Sequence, residues 1–451
     1  MTPSADVAGS TVGAASIDEG LNAGNLPILA EEDEVQSELS ASNASGRIRV
    51  LVAEPASAEG DELRKLLESA GYLVTAVGTG QLAVDQVERA LPDVVLIAVE
   101  LSDEDGYRVC ERIRVRYVPN VLPIILVSRS ADSASITRGM RVGANDFIPR
   151  PFVREEFLAR VRSQVSLART TSIYSRFVPT EFLELLGHRN ITEAELGDQV
   201  QREMTVLFVD IRAFTSLSER MTPQENFKFI NSYLSRITPF IREYNGIVDK
   251  YIGDAVMALY PGKPEDAIRS AVSIIEYLNV YNGYRAKSGY RPIDVGIGIH
   301  TGNLILGIIG DNERLEGTVI SDAVNLASRI QDVTKLYGVS VIISQDTFVR
   351  LENPTEYNFR FLGKVKVKGK VQTVSLFEIF DGDNESHKEL KSKTKTDFET
   401  AILLFSKRKF EEAAARFRSI VSRNPDDRAA MVFLNRADLL LKREKASWLL
   451  Q

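Results

Sequence analysis

The stretch DKYIGDAVMALY, residues 249–260, sets the local fold, because two apolar runs flank a Gly-Asp pair in a hairpin-like pattern. Lys250 and Asp254 therefore lie among core-forming residues, where a charge is costly unless something compensates it. A second acid, Asp210, follows the buried strand predicted at 206–209 and precedes Asp254 by 44 residues. We expect the two aspartates to lie at adjoining strand ends.

This pair of carboxylates is the first chemical signal in the chain. Alone, either aspartate would be an ordinary strand-end or turn acid, but together they suit one or two hard cations with oxygen ligands. After Asp210, IRAFTSLSE opens toward a helix, so that backbone N–H groups, including those of Phe214 and Thr215, could hold a phosphate. Because two metals about 4 Å apart clamp both oxygens of a phosphoryl transfer, this class of reaction is predicted.

The elements around the pair define a domain at residues 201–380. They run strand, long helix, hairpin, helix, hairpin, helix and strands, ending at VSLFEIF. This order is typical of an α+β, ferredoxin-like fold and differs from simple βαβ repetition.

Four motifs of this domain resemble the catalytic domain of class III nucleotidyl cyclases: VLFVDIRAFTSLSE, VDKYIGDAVMAL, VGIGIHTG and TVISDAVNLASRI. They occur in the family's order and cover about residues 200–380. The resemblance implies that two Mg²⁺ or Mn²⁺ ions per active site are held by Asp210, Asp254 and the Ile211 carbonyl.

The remaining site residues are also assigned by this resemblance. It implies that Lys250 and Thr318 bind the purine, that Asn325 orients the ribose, and that Arg329 stabilises charge at the α-phosphate. Lys368, in VKVKGK, would contact the triphosphate. In the family one subunit gives the metal ligands and the other gives the rest, so a single chain carrying both sets predicts a homodimer with two equivalent sites.

The purine-binding pair favours ATP over GTP. Lys250 donates and the Thr318 hydroxyl can accept, which suits the N1 acceptor and N6 amino donor of adenine. Guanine reverses this pattern, and guanylate cyclases of the family place Glu where Lys250 stands. A buried mismatch of this type can cost several kcal/mol. We therefore expect an adenylate cyclase, a lyase that converts ATP to cyclic AMP and pyrophosphate.

Two positions depart from the commonest family pattern. Many members have Asp where this chain has Thr318, and the Thr version resembles the subset stimulated by bicarbonate. Ser321 replaces a common Gly. A guanylate cyclase and a signalling scaffold with a silent cyclase domain are the alternatives, and Asn325 and Arg329, at i and i+4, would also fit the polar face of an ordinary helix.

Residues 47–165 show a different pattern, with five short apolar runs that alternate with amphipathic helical stretches. This alternation predicts a flavodoxin-like, doubly wound parallel α/β sheet, in a multidomain protein. Sites in such sheets lie at the carboxyl ends of the strands.

PDVVLIAVELSDEDGYRVCERIR and GANDFIPRPF make this block resemble a response-regulator receiver domain. The phosphoacceptor position is Ala98, the acid pair is reduced to Glu54, the hydroxyl is kept as Ser128, and the usual lysine is Arg150. Without a carboxylate at 98 no acyl phosphate can form. Glu100 and Asp103 fall in the loop beyond the strand, so a regulatory scaffold without phosphorylation chemistry is the favoured interpretation.

Residues 153–176 continue the last receiver helix with apolar residues at steps of three and four, at Leu158, Val161, Val165 and Ala168, ending in Ser172. Two interpretations stay open: the core face of the receiver's own helix, or a helix that pairs across a dimer. Residues 166–200 are predicted to be a helical linker.

The last segment, 381–451, is predicted to be helical and contains KFEEAAARFRSIVSRNPDDRAAMVFLNRA, which resembles a tetratricopeptide-like (TPR-like) helix pair. One pair cannot bury its own apolar face, because about three repeats are normally needed. We expect it to dock on the cyclase domain or on the dimer partner, or to recruit another protein, as the receiver could also do.

Composition bounds the remaining possibilities. The 451 residues carry a net charge of −7, but residues 1–46 hold eight acids and no base, which leaves +1 for residues 47–451. We expect an acidic disordered tail at 1–46 and no affinity for nucleic acid or an anionic membrane. The absence of bases before Arg47, the absence of an apolar run of about 18 residues and the single cysteine favour a cytoplasmic protein without a membrane span.

Overall fold

The computed structural model describes residues 47–130, 132–177, 179–188, 191–311, 313–366 and 373–448. The chain divides into two compact units, the first ending at Tyr174 and the second beginning at Ser175. The predicted tail at 1–46 lies outside the described residues.

In the first unit, the described residues form a parallel sheet with strand order β2-β1-β3-β4-β5. The strands are β1 Arg49–Ala53, β2 Leu73–Val77, β3 Val94–Ala98, β4 Ile124–Ser128 and β5 Asp146–Pro149. The helices are α1 Ala58–Ser69, α2 Gly80–Arg89, α3 Gly106–Arg114, α4 Ser133–Arg141 and α5 Arg154–Phe177. One apolar core lies on each face of the sheet, which confirms the doubly wound prediction.

Helix α5 contributes to the core of the first unit. Phe157, Val161 and Val165 are buried together with Leu67 of α1 and Leu96 of β3. For these residues the structure therefore supports the interpretation as the core face of the receiver's own helix. The side chain of Ser172 lies outside the described residues.

The second unit is built on a mixed sheet with order β12-β13-β11-β9-β6-β8-β7, to which β10 adds by pairing with β9. The strands are β6 Gln199–Ile211, β7 Ile247–Ile252, β8 Ala255–Tyr260, β9 Val295–Gly310, β10 Leu315–Ile320, β11 Val341–Ser344, β12 Phe359–Lys366 and β13 Thr373–Ile379. The helices are α6 Thr180–Leu186, α7 Phe214–Ser218, α8 Pro223–Glu243, α9 Pro264–Lys287, α10 Asp322–Tyr337, α11 Gln345–Phe348, α12 Glu385–Ser406, α13 Phe410–Arg423 and α14 Arg428–Trp448. Short 3-10 turns lie at Ile191–Glu193 and Pro354–Glu356.

Helices α8 and α9 cover one face of this sheet, where Ile237, Ile241, Ile268 and Ile274 pack against strand residues such as Leu207. Helix α10 packs closely on β9 because β9 has glycine at the contact. A Cβ atom at Gly298 would lie 2.2 Å from the backbone nitrogen of Gln331. The glycines of VGIGIHTG thus allow the close approach that positions α10.

The C-terminal helices dock on the sheet of the second unit. Phe398 of α12, Phe417 of α13 and Phe433 of α14 share an apolar core with Ile342 of β11 and Leu362 of β12. Three roles were expected for residues 381–451, and this contact corresponds to the first of them, docking on the predicted cyclase domain. It also explains how the predicted TPR-like pair α13–α14 covers its apolar face.

A buried ionic cluster joins the same elements. The Arg360 guanidinium on β12 is 2.5 Å from a Glu378 carboxylate oxygen and 2.6 Å from Asp427, which precedes α14. Lys391 of α12 is 2.6 Å from Glu378 and 2.5 Å from Asp383. Arg360 is fully buried, so the cluster fixes the helices to the sheet by charge as well as by apolar contact.

In the part of the chain that the structure describes, no helix combines the length and the apolar character needed to cross a bilayer. The predicted domain limits at 47–165, 166–200, 201–380 and 381–451 stay a prediction.

Candidate active site

Asp210 and Asp254 lie next to each other at one end of the sheet. Asp210 is the penultimate residue of β6, and Asp254 occupies the two-residue turn between β7 and β8 with Gly253. Strands β6 and β8 are antiparallel neighbours with Val209 opposite Val256, so the turn lies beside the end of β6. Gly253 adopts a φ of 66°, which glycine accepts without strain and which the tight turn requires.

The electrostatics of this pair are unfavourable in the absence of a cation. Burial and the neighbouring Asp210 charge raise the pKa of Asp254 from 3.8 to about 6. The Oδ2 atom of Asp254 is buried and has no hydrogen-bond partner among the described residues. A buried acceptor without a partner is costly, so the pair is arranged to receive a positive ligand.

Helix α10 supplies the partners of Asp210. The Lys335 Nζ atom lies 2.5 Å from Asp210 Oδ2, and the Gln331 amide donates to the same oxygen over 3.4 Å. Helix α10 begins at the N-cap Ser321, whose hydroxyl accepts from the Ala323 backbone N–H, and ends before Gly338 at a φ of 69°. Sequence reasoning missed Lys335, because a lysine in the last turn of a helix is common and lies 125 residues from Asp210.

The residues present fit a divalent cation. Two adjacent carboxylates, one with a buried oxygen that no described residue contacts by a hydrogen bond, are the hard oxygen donors that Mg²⁺ and Mn²⁺ prefer. No cluster of three or more Asp, Glu, His or Cys side chains suited to a metal occurs within the described ranges. Further ligands would therefore have to come from backbone carbonyls, water or the substrate.

Lys250 and Thr318 form a second contact. Lys250 Nζ donates to Thr318 Oγ1 over 3.4 Å, which joins the β7 strand to β10. Lys250 also lies 3.5 Å from a carboxylate oxygen of Asp249, whose side chain is only 3% exposed. Burial raises the pKa of Asp249, and Lys250 partly offsets this shift. Asp249 was not among the predicted site residues.

The other predicted site residues have separate surroundings. Asn325 is exposed on α10 and Arg329 is half-buried one turn later. Phe214 packs on the core of the second unit and stacks on Phe229 with ring centroids 6.2 Å apart. Thr215 is exposed in the short helix α7.

The structure therefore brings Asp210 together with Asp254, and Lys250 together with Thr318. Among the described residues, no hydrogen bond or ion pair links the aspartate pair to Lys250, Thr318 or Asn325. Lys368 lies outside the described residues. The roles assigned to all of these residues stay a prediction.

The strand ends of the first unit hold an ion-pair network at the expected receiver site. Ala98 is buried at the end of β3, and Arg150 lies 2.8 Å from both Glu54 and Glu59. Burial raises the pKa of Glu54, although Arg150 acts against this shift.

The neighbouring polar residues of the receiver site are also engaged. The Ser128 hydroxyl donates to Glu100 over 2.8 Å. The Asp103 carboxylate accepts from the backbone N–H groups of Gly80 and Gln81 over 2.8 Å and 3.1 Å. Asp103 thus already caps the start of α2, as an acid in the loop beyond β3.

Comparison with known proteins identifies both units. Residues 197–379 match the family model of the adenylate and guanylate cyclase catalytic domain, and residues 50–162 match that of the response regulator receiver domain. An adenylate cyclase of Anabaena cylindrica is 41% identical over 219 residues, which cover 47% of this chain and 44% of the relative. The terminal-differentiation-specific adenylate cyclase of Dictyostelium discoideum is 33% identical over 273 residues, covering 59% of this chain and 13% of the relative.

Among solved structures, the adenylyl cyclase CyaB from P. aeruginosa aligns with 28% identity and a TM-score of 0.36, over 40% of this chain and 95% of that one. The chain spans less than half the length of the two curated relatives named above. The matches to the two family models show that this chain carries a receiver domain followed by a cyclase catalytic domain. Cyclases of this family generally use divalent metal ions.

Proposed function

We propose that this chain, with its receiver and cyclase catalytic domains, is an adenylate cyclase that converts ATP to cyclic AMP and pyrophosphate. The observation that carries the proposal is the Asp210–Asp254 pair inside a domain that matches the cyclase catalytic family. One buried carboxylate oxygen of this pair has no hydrogen-bond partner in the part of the chain that the structure describes. The Anabaena and Dictyostelium relatives named adenylate cyclase support the choice of reaction.

The preference for ATP rests on Lys250 and Thr318. Their 3.4 Å contact places a donor beside a hydroxyl that can accept, which is the arrangement that the N1 and N6 positions of adenine require. The adjacent buried carboxylate of Asp249 keeps a positive charge favourable at position 250. A purine with the reversed pattern would leave buried polar groups unpaired, at a cost of about 1–3 kcal/mol each.

The site is proposed to form between two copies of the chain. One subunit would supply Asp210, Asp254 and the Ile211 carbonyl, and the other would supply Lys250, Thr318 and the α10 residues. Such an isologous arrangement gives two equivalent sites per homodimer. The separation of the two contacts within one chain is compatible with this division.

In the proposed mechanism, Asp210, Asp254 and the Ile211 carbonyl would hold two divalent ions, which would supply acidification of the ribose 3′-hydroxyl and charge neutralisation at the phosphates. Asn325 holds the ribose so that its 3′ oxygen faces the α-phosphorus. A bond forms between these two atoms, the bond to the bridging oxygen of the leaving pyrophosphate breaks, and the hydroxyl proton passes to water.

Arg329 stabilises the charge that develops on the α-phosphate oxygens, because a guanidinium fixed in place requires no reorganisation during the reaction. Lys368 neutralises the departing pyrophosphate. The backbone N–H groups at Phe214 and Thr215 would contact the triphosphate at the start of α7.

The test is a cyclase assay of the purified full chain with ATP or GTP and with Mg²⁺ or Mn²⁺. We expect cyclic AMP from ATP and much less cyclic GMP from GTP. Asp210→Asn and Asp254→Asn should each lower turnover by at least about a hundredfold, because the loss of a metal ligand removes several kcal/mol of transition-state stabilisation.

Asp61→Asn provides the control, because Asp61 is a 65% exposed aspartate of α1, outside the site. It should keep wild-type turnover. Appreciable activity in either active-site variant, with the fold verified by circular dichroism, would contradict the metal assignment.

A further inference from the structure

The ammonium group of Lys335 binds the carboxylate of Asp210, which the proposed function assigns as a metal ligand. Lys335 Nζ is 2.5 Å from Asp210 Oδ2, whereas its distance to Asp332, one turn earlier on the same helix, is 3.9 Å. Asp210 is 18% exposed and Lys335 is 44% exposed. The lysine therefore reaches from solvent toward the metal-binding end of β6.

We propose that Lys335 acts as an internal cation that holds Asp210 until nucleotide-bound metal displaces it, and so suppresses binding of free metal. This inference rests on the proposed function, because it takes Asp210 to be a metal ligand. It goes beyond that function by assigning a role to a residue outside the predicted catalytic set.

Competition follows from geometry and charge. The ammonium already binds the Oδ2 oxygen, so a divalent ion bound to the same oxygen would lie close to a positive charge. Two such cations repel each other, and the repulsion is poorly screened in a partly buried site. Metal binding to Asp210 therefore requires Lys335 to move.

The side chain is free to make this movement. An ion pair of a half-exposed lysine contributes little to stability, and the four-carbon stem can adopt many rotamers. Helix α10 is held by Leu326, Ile330 and Tyr337, which are buried in the core beneath the C-terminal helices. Displacing the ammonium thus leaves the helix in place.

Bound nucleotide changes the competition between metal and Lys335 for Asp210, because the displaced ammonium stays close to the site. A metal that arrives with a triphosphate brings several negative oxygens, which can accept from the lysine in place of Asp210. Free metal brings no such acceptor. Lys335 should therefore weaken binding of free metal more than binding of the metal–nucleotide complex.

The experiment measures Mn²⁺ binding to the full chain by electron paramagnetic resonance of the free ion, first without nucleotide and then with a non-reactive α,β-methylene analogue of ATP. Without nucleotide, Lys335→Met should bind Mn²⁺ at least about fivefold more tightly than wild type, the change expected for loss of one competing surface ion pair. With the analogue, the difference should fall below about twofold.

Two further variants separate charge from structure. Lys335→Arg keeps the charge and should resemble wild type. Lys442→Met removes an exposed lysine of α14 outside the site and should also leave Mn²⁺ binding unchanged. Equal or weaker Mn²⁺ binding by Lys335→Met without nucleotide, in protein that melts cooperatively, would overturn the inference.

The Asp210→Asn variant distinguishes failure of this inference from failure of the proposed function on which it rests. If Asp210→Asn abolishes Mn²⁺ binding while Lys335→Met changes nothing, the metal site stands and the role of Lys335 is wrong. If Mn²⁺ binds equally to wild type and to Asp210→Asn, the metal assignment itself fails, and the inference fails with it.

Discussion

The expected preference for ATP over GTP depends on the contacts of a single side chain, Lys250. Lys250 lies between the Thr318 hydroxyl and the buried Asp249 carboxylate, at 3.4 Å and 3.5 Å. Its positive charge therefore contacts two groups: the Thr318 hydroxyl, which would help bind the purine, and the Asp249 carboxylate, which has a structural role. Substitution of Lys250 should affect both contacts.

We predict that Lys250→Glu lowers cyclic AMP formation by at least about a hundredfold, because the new side chain cannot donate to adenine. It should not produce an efficient guanylate cyclase, since the new carboxylate would lie against Asp249 and repel it. Rates with ATP and GTP check this, with Lys287→Glu, an exposed change of the same charge, as the control. Efficient cyclic GMP synthesis by Lys250→Glu would show that Asp249 does not constrain the position.

The aspartate pair could be predicted from the sequence because each aspartate follows a recognisable local signal. Asp210 ends an apolar strand, and Asp254 follows the glycine of a tight hairpin turn. Lys335 and Asp249 gave no such signal. Their importance arises from contacts with Asp210 and Lys250 and from burial, which depend on how α10 and β7 pack in three dimensions.

At the scale of elements, the docking of the C-terminal helices joins apolar packing to buried charge. Arg360, Glu378 and Asp427 have 0%, 1% and 0% exposed side chains, and the Arg360 guanidinium also lies 4.1 Å from the centre of the Phe398 ring. Paired charges of this kind add little net stability, but removing one partner leaves the others buried and unpaired.

We predict that Arg360→Met lowers the free energy of unfolding by about 3–5 kcal/mol, because Asp427 and part of Glu378 lose their counter-charge. Arg360→Met combined with Asp427→Asn should recover part of this loss. Urea unfolding followed by circular dichroism gives the comparison, with Arg443→Met, an exposed arginine of α14, as control. A loss below about 1 kcal/mol for Arg360→Met would mean that the cluster relaxes or admits water.

The sequence predicted that the TPR-like pair needs a covering surface, since its apolar residues exceed what two helices can bury. It left open whether that surface was the cyclase domain, a dimer partner or another protein. The choice depends on Arg360 and Glu378, which look like ordinary solvent-facing residues of alternating strands. These two residues already pair with each other across the strands, and Asp427 and Lys391, which approach from the helices, complete the buried cluster.

At the scale of the whole molecule, the proposed division of the active site between two chains makes a prediction of its own. Asp254→Ala and Arg329→Ala should each be inactive alone. Mixed and re-equilibrated, they should recover about a quarter of wild-type activity, because half of the dimers are mixed and each mixed dimer has one intact site.

The control for this experiment is a mixture of Asp254→Ala with Asp210→Ala, which alter the same half-site and should not complement each other. Formation of mixed dimers is verified by co-purification of two differently tagged chains. Mixed dimers that form without recovering activity would argue against a site shared between subunits.

The receiver domain should regulate without phosphorylation. Its acceptor position is Ala98, and Arg150 ties Glu54 and Glu59 together where an acid cluster would otherwise bind metal. We predict no phosphate incorporation from acetyl phosphate into wild type. Ala98→Asp should also stay unlabelled, since Glu54 remains paired with Arg150 and is followed by Pro55.

Regulation would instead depend on α5, the last helix of the receiver, which spans Arg154–Phe177. Its buried residues Phe157, Val161 and Val165 fix one end of this helix in the receiver core.

We predict that deleting residues 1–174 changes the cyclase rate or the dimer affinity, because a 1 Å change at a catalytic constellation can alter a rate about a hundredfold. Val161→Asp, which places a charge in the receiver core, should reproduce the effect of the deletion, whereas Arg108→Asp on the exposed face of α3 should not. If the deletion leaves both the rate and the dimer affinity unchanged, the receiver serves partner binding and α5 has no regulatory role.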